Sequence, residues 1–202
     1  MSTIAQNLAI QHHSAELFGR ERRSRADLAA DGRRHRSAIP LESHGEVSTG
    51  WPDRDPVAIL RAQESTREPG LVPLRYARMA ASPFAFLRGS AAVMANDLAH
   101  APTTSLTVQL CGDAHVANFG MFAAPDRRLV FDLNDFDETY PGPFEWDLKR
   151  LAASIVVAGR HVGVKDRKAR AAAASAAESY RATLARLATM SPLEVWYARV
   201  EV

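Results

Sequence analysis

The stretch from Leu106 to Leu151 constrains this chain more than any other. It predicts a strand over Leu106–Leu110, then the loop Cys111-Gly112-Asp113-Ala114-His115-Val116-Ala117-Asn118, then a second strand over Leu129–Leu133. The acidic run Asn134-Asp135-Phe136-Asp137-Glu138 follows, then a Pro/Gly loop and a helix opening near Trp146-Asp147-Leu148-Lys149. Two acidic loops at strand ends supply carboxylate, amide and carbonyl oxygens on a rigid frame, the donors that a divalent cation such as Mg²⁺ prefers. Crowding Asp113, His115, Asn118, Asp135 and Asp137 between apolar strands costs energy through like-charge repulsion unless a cation offsets it. Asp132, inside the second strand, is an alternative ligand to Asp135, and Asp137 a further one. Asp113 and Asn118, five residues apart in one loop, allow one to face an acceptor hydroxyl while the other turns back to a metal, and His115 is an acid/base candidate.

The rest of the composition narrows the class. With 202 residues, 47% of them hydrophobic, the chain can bury one substantial core. A formal charge of +2 gives no global field for nucleic acid or membrane. The basic run Arg20, Arg22, Arg23, Arg25, Arg33, Arg34 and Arg36 is interrupted by Glu21, Asp27 and Asp31, so it reads as a solvated helix face or tail. Cys111 is the one cysteine, which excludes an internal disulfide and a multi-thiolate metal site. Without a secretory signal or an apolar run of about 18 residues, a soluble cytoplasmic protein is expected.

Along the chain, helical periodicity around Ile4 to Leu17 precedes the arginine-rich segment, and Ser37 to Asp55 reads as an irregular linker. Residues 1–55 therefore form an N-terminal segment and 56–202 the main domain. Asp55-Pro56 and Ser82-Pro83 are N-cap and first-turn signals. The second should open one helix running to about Ala99. Arg75, Arg78 and Arg88 are placed to reach phosphate oxygens if their helices face the acidic loops. Leu148, Leu151, Ile155 and Val162 predict a helix from about Phe144 that packs its apolar face on the strands and stops at Gly163. A second long helix is expected within Lys165–Met190 and a third from Ser191-Pro192. That last piece shows large apolar residues and no capping or terminating signal, so a continuation past Val202 is expected.

The Cys111–Asn118 loop resembles the His-Gly-Asp-x-His-x-x-Asn catalytic loop of aminoglycoside phosphotransferase-like kinases. Asp135-Phe136-Asp137 resembles their metal-binding aspartate motif, and Trp146-Asp147-Leu148 the opening of the following helix. More closely, Arg78 to Gly89, Gly112 to Gly120, Phe131 to Glu138 and Gly142 to Leu151 resemble the bacterial DUF2252 family, from roughly residue 15 to the end. The resemblance implies an α+β fold, the catalytic half of a protein-kinase-like domain, mostly helical, with a small β-hairpin carrying the catalytic and metal loops. It implies Asp113 as catalytic aspartate, Asn118 and Asp135 as ligands of Mg²⁺ and ATP, and Asp147 as a support for the catalytic loop.

Cys111 stands where that loop usually has histidine, which removes a hydrogen-bonding anchor. A glycine-rich phosphate loop and a strand-borne lysine are not found upstream of Asp113. Relatives carry such segments after the catalytic half, so the nucleotide site is expected to be incomplete here and activity weak or absent. The function expected is ATP- and Mg²⁺-dependent phosphoryl transfer to an unidentified acceptor, with Asp113→Ala abolishing turnover at little cost in melting temperature. The rival readings are a metal-dependent phosphohydrolase using Asp113, His115, Asp135 and Asp137 with a metal-activated water, and a non-catalytic pseudokinase-like module that binds a partner through its arginine-rich segment.

Overall fold

A computed structural model describes residues 23–46 and 50–200. The chain divides into two compact units, Met1–Ala38 and Ile39–Val202. In the first, helix α1 (Arg25–Ala38) buries none of its residues, and its one large apolar side chain, Leu28, is exposed. Ser24 and Asp27 cap it reciprocally: the Asp27 amide donates to Ser24 Oγ at 3.1 Å and the Ser24 hydroxyl to Asp27 Oδ2 at 2.6 Å. Asp31 pairs with both Arg23 and Arg34. Arg25, Arg33, Arg34 and Arg36 of the arginine run are thus exposed on a helix, the solvated helix face being one of the two expected forms, while Arg20 and Arg22 lie outside the described residues. The helix expected around Ile4 to Leu17 lies outside the described residues.

The second unit is α+β and mostly helical. Helix α2 (Pro56–Ala62) starts where the Asp55 carboxylate accepts from the Val57 and Ala58 amides, each at 3.0 Å. Helix α3 (Val72–Met79) is followed by α4 (Pro83–Gly89), capped by Ser82 Oγ accepting from the Ala85 amide at 3.1 Å, and by α5 (Ala91–Ala99). The single helix expected from Ser82 to Ala99 is therefore two. Its break falls at Ser90, next to Gly89, where a Cβ would stand 2.6 Å from the Met79 side chain. Leu60, Met79 and Val93 form a buried cluster there, with Ile59 and Tyr76 packed on it.

Four short strands make two antiparallel pairs, β1 (Thr107–Leu110) with β4 (Tyr140–Pro143) and β2 (Phe119–Ala123) with β3 (Leu129–Leu133). The register sets Leu110 opposite Tyr140 and Phe119 opposite Leu133. Two of these strands have no counterpart in the sequence reading. Strand β2 begins directly after Asn118 with Phe119-Gly120, and β4 is the segment read as a Pro/Gly loop. Its prolines sit at a sheet margin, where a missing N–H costs least.

Helix α6 (Glu145–His161) follows β4 at once, and α7 (Asp166–Leu187) packs against it across Gly159 and Ala169. Gly163, at φ +76°, turns the chain between them. Helix α8 (Pro192–Tyr197) does carry a start signal, contrary to expectation: Ser191 and Glu194 form a capping box. Beyond it the Phe131 amide donates to the Val200 carbonyl at 3.0 Å, so the segment after α8 lies along β3. Among the described residues no helix is long and apolar enough to cross a membrane.

Candidate active site

One face of α6 organises the site. Asp147, Arg150 and Ser154 follow one another at helical spacing, and each takes hold of a successive part of the Cys111–Asn118 loop. The Asp147 carboxylate accepts from the Cys111 amide at 2.7 Å and the Gly112 amide at 3.1 Å. Arg150 donates through Nε to Asp113 Oδ1 at 2.7 Å and through Nη2 to the Leu87 carbonyl at 2.5 Å. Ser154 Oγ accepts from the Val116 amide at 2.8 Å while its hydroxyl donates to the Leu151 carbonyl. The buried residues of α6 are Glu145, Arg150 and Ser154. Of the expected stripe, Leu148, Leu151 and Ile155 are half-buried, and only Val162, just past the end of α6, is exposed, at 73%. Buried loop amides need acceptors more than they need apolar neighbours, and α6 supplies them.

Glu145 fixes the same helix from its first turn. Its carboxylate accepts from the Thr104 amide and, at 2.9 Å, from the Thr104 hydroxyl. Helix α6 is therefore tied to the chain on both sides of β1, at Thr104 before it and at Cys111 after it.

The acidic loop after β3 is stitched to the same frame. The Cys111 thiol donates to the Asp135 carbonyl at 3.1 Å and the Asn134 amide to the Asn118 carbonyl at 2.9 Å. Thr139 Oγ1 donates to the Leu110 carbonyl at 2.6 Å. Cysteine in place of histidine thus does not leave the loop without an anchor; the thiol provides one. Gly112 has φ +88°, and a Cβ there would run into the Glu138 carbonyl, so this position admits only glycine without a shift of the backbone.

These bonds bring Asp113, His115, Asn118 and Asp135 onto the lining of one cleft of about 850 Å³. Asn118 donates its amide nitrogen to the Asp113 carbonyl at 2.8 Å, leaving Oδ1 for a ligand. Asp135 Oδ1 accepts from the Asp137 amide at 3.2 Å, leaving its other oxygen. Asp132 and Asp137 are not part of this lining. Asp132 pairs across the hairpin with Gly120 and its carboxylate accepts from the Leu133 amide, while Asp137 is exposed. Among the described residues no three His, Cys, Asp or Glu side chains are grouped to hold a metal. Asn118 and Asp135 supply hard oxygen donors, which fit a cation that takes the remainder of its shell from water and phosphate.

His115 is only 3% exposed at the cleft floor. Its Nε2 lies 3.7 Å from Asp113 Oδ2 and its buried Nδ1 has no partner among the described residues. Burial holds its imidazole below the ordinary histidine value, reinforced by Arg150 and Arg88 and opposed by Asp113. Burial likewise raises the Cys111 thiol.

The same cleft is also lined by Arg67, Arg75, Arg78 and Arg88, with Glu68 among them. Three of these arginines were marked in the sequence by their place on α3 and α4. Arg67, Arg150 and Ser154 were not. A polar stripe at positions 147, 150 and 154 inside a helix otherwise rich in alanine, leucine and valine was the available signal for the latter two.

The class of protein is thus an α+β domain in which one helix face fixes an Asp-bearing loop beside an acidic loop, over an arginine-lined cleft. Residues 67–202 match the family described as an uncharacterized protein conserved in bacteria (DUF2252), and the chain belongs to that family. No curated protein and no solved structure matches the chain.

Proposed function

We propose that this chain carries the catalytic half of an ATP- and Mg²⁺-dependent phosphotransferase with a protein-kinase-like arrangement. The observation that carries the reading is the convergence of Asp113, Asn118 and Asp135, from two loops bonded to each other, on a single cleft that four arginines also line. Phosphoryl transfer asks a protein for positioning and for charge opposite the migrating group rather than for covalent chemistry. Asp113, its carboxylate aimed by Arg150, orients the acceptor hydroxyl. Asn118 Oδ1 and the free oxygen of Asp135 hold Mg²⁺, whose remaining positions go to water and phosphate oxygens. A site of this design needs few protein ligands, because Mg²⁺ at phosphates is commonly bound through one or two carboxylates. Asp147 acts through the loop it holds.

Calorimetric titration of the full chain with Mg²⁺ and a non-hydrolysable ATP analogue tests this reading. Saturable, Mg²⁺-dependent binding that Asn118→Ala and Asp135→Asn each weaken tenfold or more is the expected result. Binding unaffected by both substitutions, or none at all, removes the reading.

A further inference from the structure

The charge of the cleft is not balanced within it. Asp113 is compensated from beneath by Arg150, whose Nη2 lies 2.6 Å from Asp113 Oδ1 and which is itself 3% exposed and so unavailable to a ligand. What remains facing the cavity is Arg67, Arg75, Arg78 and Arg88 against Glu68 and Asp135. Arg75 is partly committed, donating to the Gly89 carbonyl at 2.5 Å, which pins α3 to the end of α4. Arg67 is only loosely engaged, 3.8 Å from Glu138. Arg78 and Arg88 are exposed, and their guanidinium groups make no hydrogen bond or ion pair among the described residues. The arginines also act on one another: burial and the neighbouring Arg67 charge both push the Arg75 guanidinium below its ordinary value.

Four arginines lining one cleft against the carboxylates of Glu68 and Asp135 leave an excess of positive charge that favours an anionic ligand. Guanidinium forks match the oxygens of a phosphate in geometry as well as charge, and bind it in pairs where a lysine offers a single point charge. We infer that the set formed by Arg67, Arg75, Arg78 and Arg88 binds a phosphate monoester, so that the molecule phosphorylated in this cleft already carries a phosphate. This deepens the phosphotransferase reading by naming its acceptor class, and rests on that reading only in treating the bound compound as the acceptor. The arginine set needs no metal; Asn118 and Asp135 do.

The two are separable by experiment. The full chain is titrated with inorganic phosphate in the presence of EDTA, against chloride at equal ionic strength, followed by calorimetry and by Tm. Saturable binding is expected, weakened tenfold or more in Arg78→Gln/Arg88→Gln and equal or tighter in Asp135→Asn, which removes a negative charge from the same cleft. Both arginines are exposed, so an unaltered Tm without phosphate certifies the fold of the double variant. Phosphate binding that persists when the Mg²⁺–nucleotide analogue is saturating supports a separate acceptor site. Displacement of phosphate by that analogue overturns it, because the arginines then hold the nucleotide's own phosphates. Absence of phosphate binding, or binding indifferent to the arginine substitutions, overturns it as well. Loss of nucleotide binding in Asp135→Asn with phosphate binding intact separates the failure of either reading from the other.

Discussion

A buried Arg150 guanidinium pairs with the partly exposed carboxylate of Asp113 at the cleft, Nε to Oδ1 at 2.7 Å, with Arg150 also donating to the Leu87 carbonyl of α4 and Nη1 lying 3.6 Å from Met94 Sδ of α5. One guanidinium therefore links the candidate catalytic residue to two helices. Breaking a buried pair by removing one partner strands the other charge and costs about 3–5 kcal/mol. Asp113→Ala, expected from the sequence to spare the fold, should instead lower Tm by roughly 10 °C, at about 2–4 °C per kcal/mol for a domain of this size. Asp113→Asn keeps an acceptor for Arg150 and should fall much less. Thermal unfolding of both variants checks this; equal Tm values for the two would contradict it.

Gly112 is the position most sensitive to the smallest change. Its φ of +88° strains any side chain, and the Glu138 carbonyl occupies the place a Cβ would take. Gly112→Ala should lose at least about 2 kcal/mol by adding an unfavourable backbone region to a steric clash. Chemical denaturation measures it; a midpoint within error of the parent would show that the loop has another conformation.

Cys111 should be chemically silent while the protein is folded. It is 4% exposed, its thiol is engaged by the Asp135 carbonyl, and burial raises its pKa, which together leave little accessible thiolate. A thiol reagent at neutral pH should label the native chain at least a hundredfold more slowly than the denatured chain. Rapid native labelling would mean that the contact between the two loops is open.

His115 sets a pH dependence of stability. Its folded pKa lies below the ordinary 6.5, so in the unfolded chain it takes up a proton first. Its contribution is fully present above pH 6.5 and declines as pH falls through that value toward the folded pKa. Asp126 and Asp166, whose pKa values are lowered chiefly by a backbone hydrogen bond from Arg128 and by Arg170, act in a separate window below 3.8. Tm measured from pH 7.5 downward should drop around pH 6, and His115→Gln should flatten that limb. An unchanged limb in the variant would assign the effect elsewhere.

The parts legible in the sequence were those set by local chemistry. Asp55-Pro56 and Ser82-Pro83 announced helix starts, Gly163 a helix end, and the two acidic loops their place after strands. Family membership followed from the long motifs between Arg78 and Leu151. The parts that escaped depended on tertiary partners. Strand β4 has too many prolines and glycines to read as a strand, yet β1 supplies a register for Tyr140–Pro143. The polar face of α6 is buried because loop amides need acceptors, a demand no periodicity of α6 alone expresses. Arg67 lies outside the regular helices, and only the folded chain brings it to the cleft that Asp135 lines.

The central claim is that the Asp113 loop and the Asp135 loop serve one bound cation and its phosphates. Paramagnetic broadening of backbone amide NMR signals by Mn²⁺ with a non-hydrolysable ATP analogue measures it directly. The account predicts that the amides of Gly112–Asn118 and Asn134–Asp137 broaden together while those around Ala173 in α7 stay sharp, and that Asp135→Asn abolishes the effect. Broadening of one loop without the other, or of neither, would contradict it.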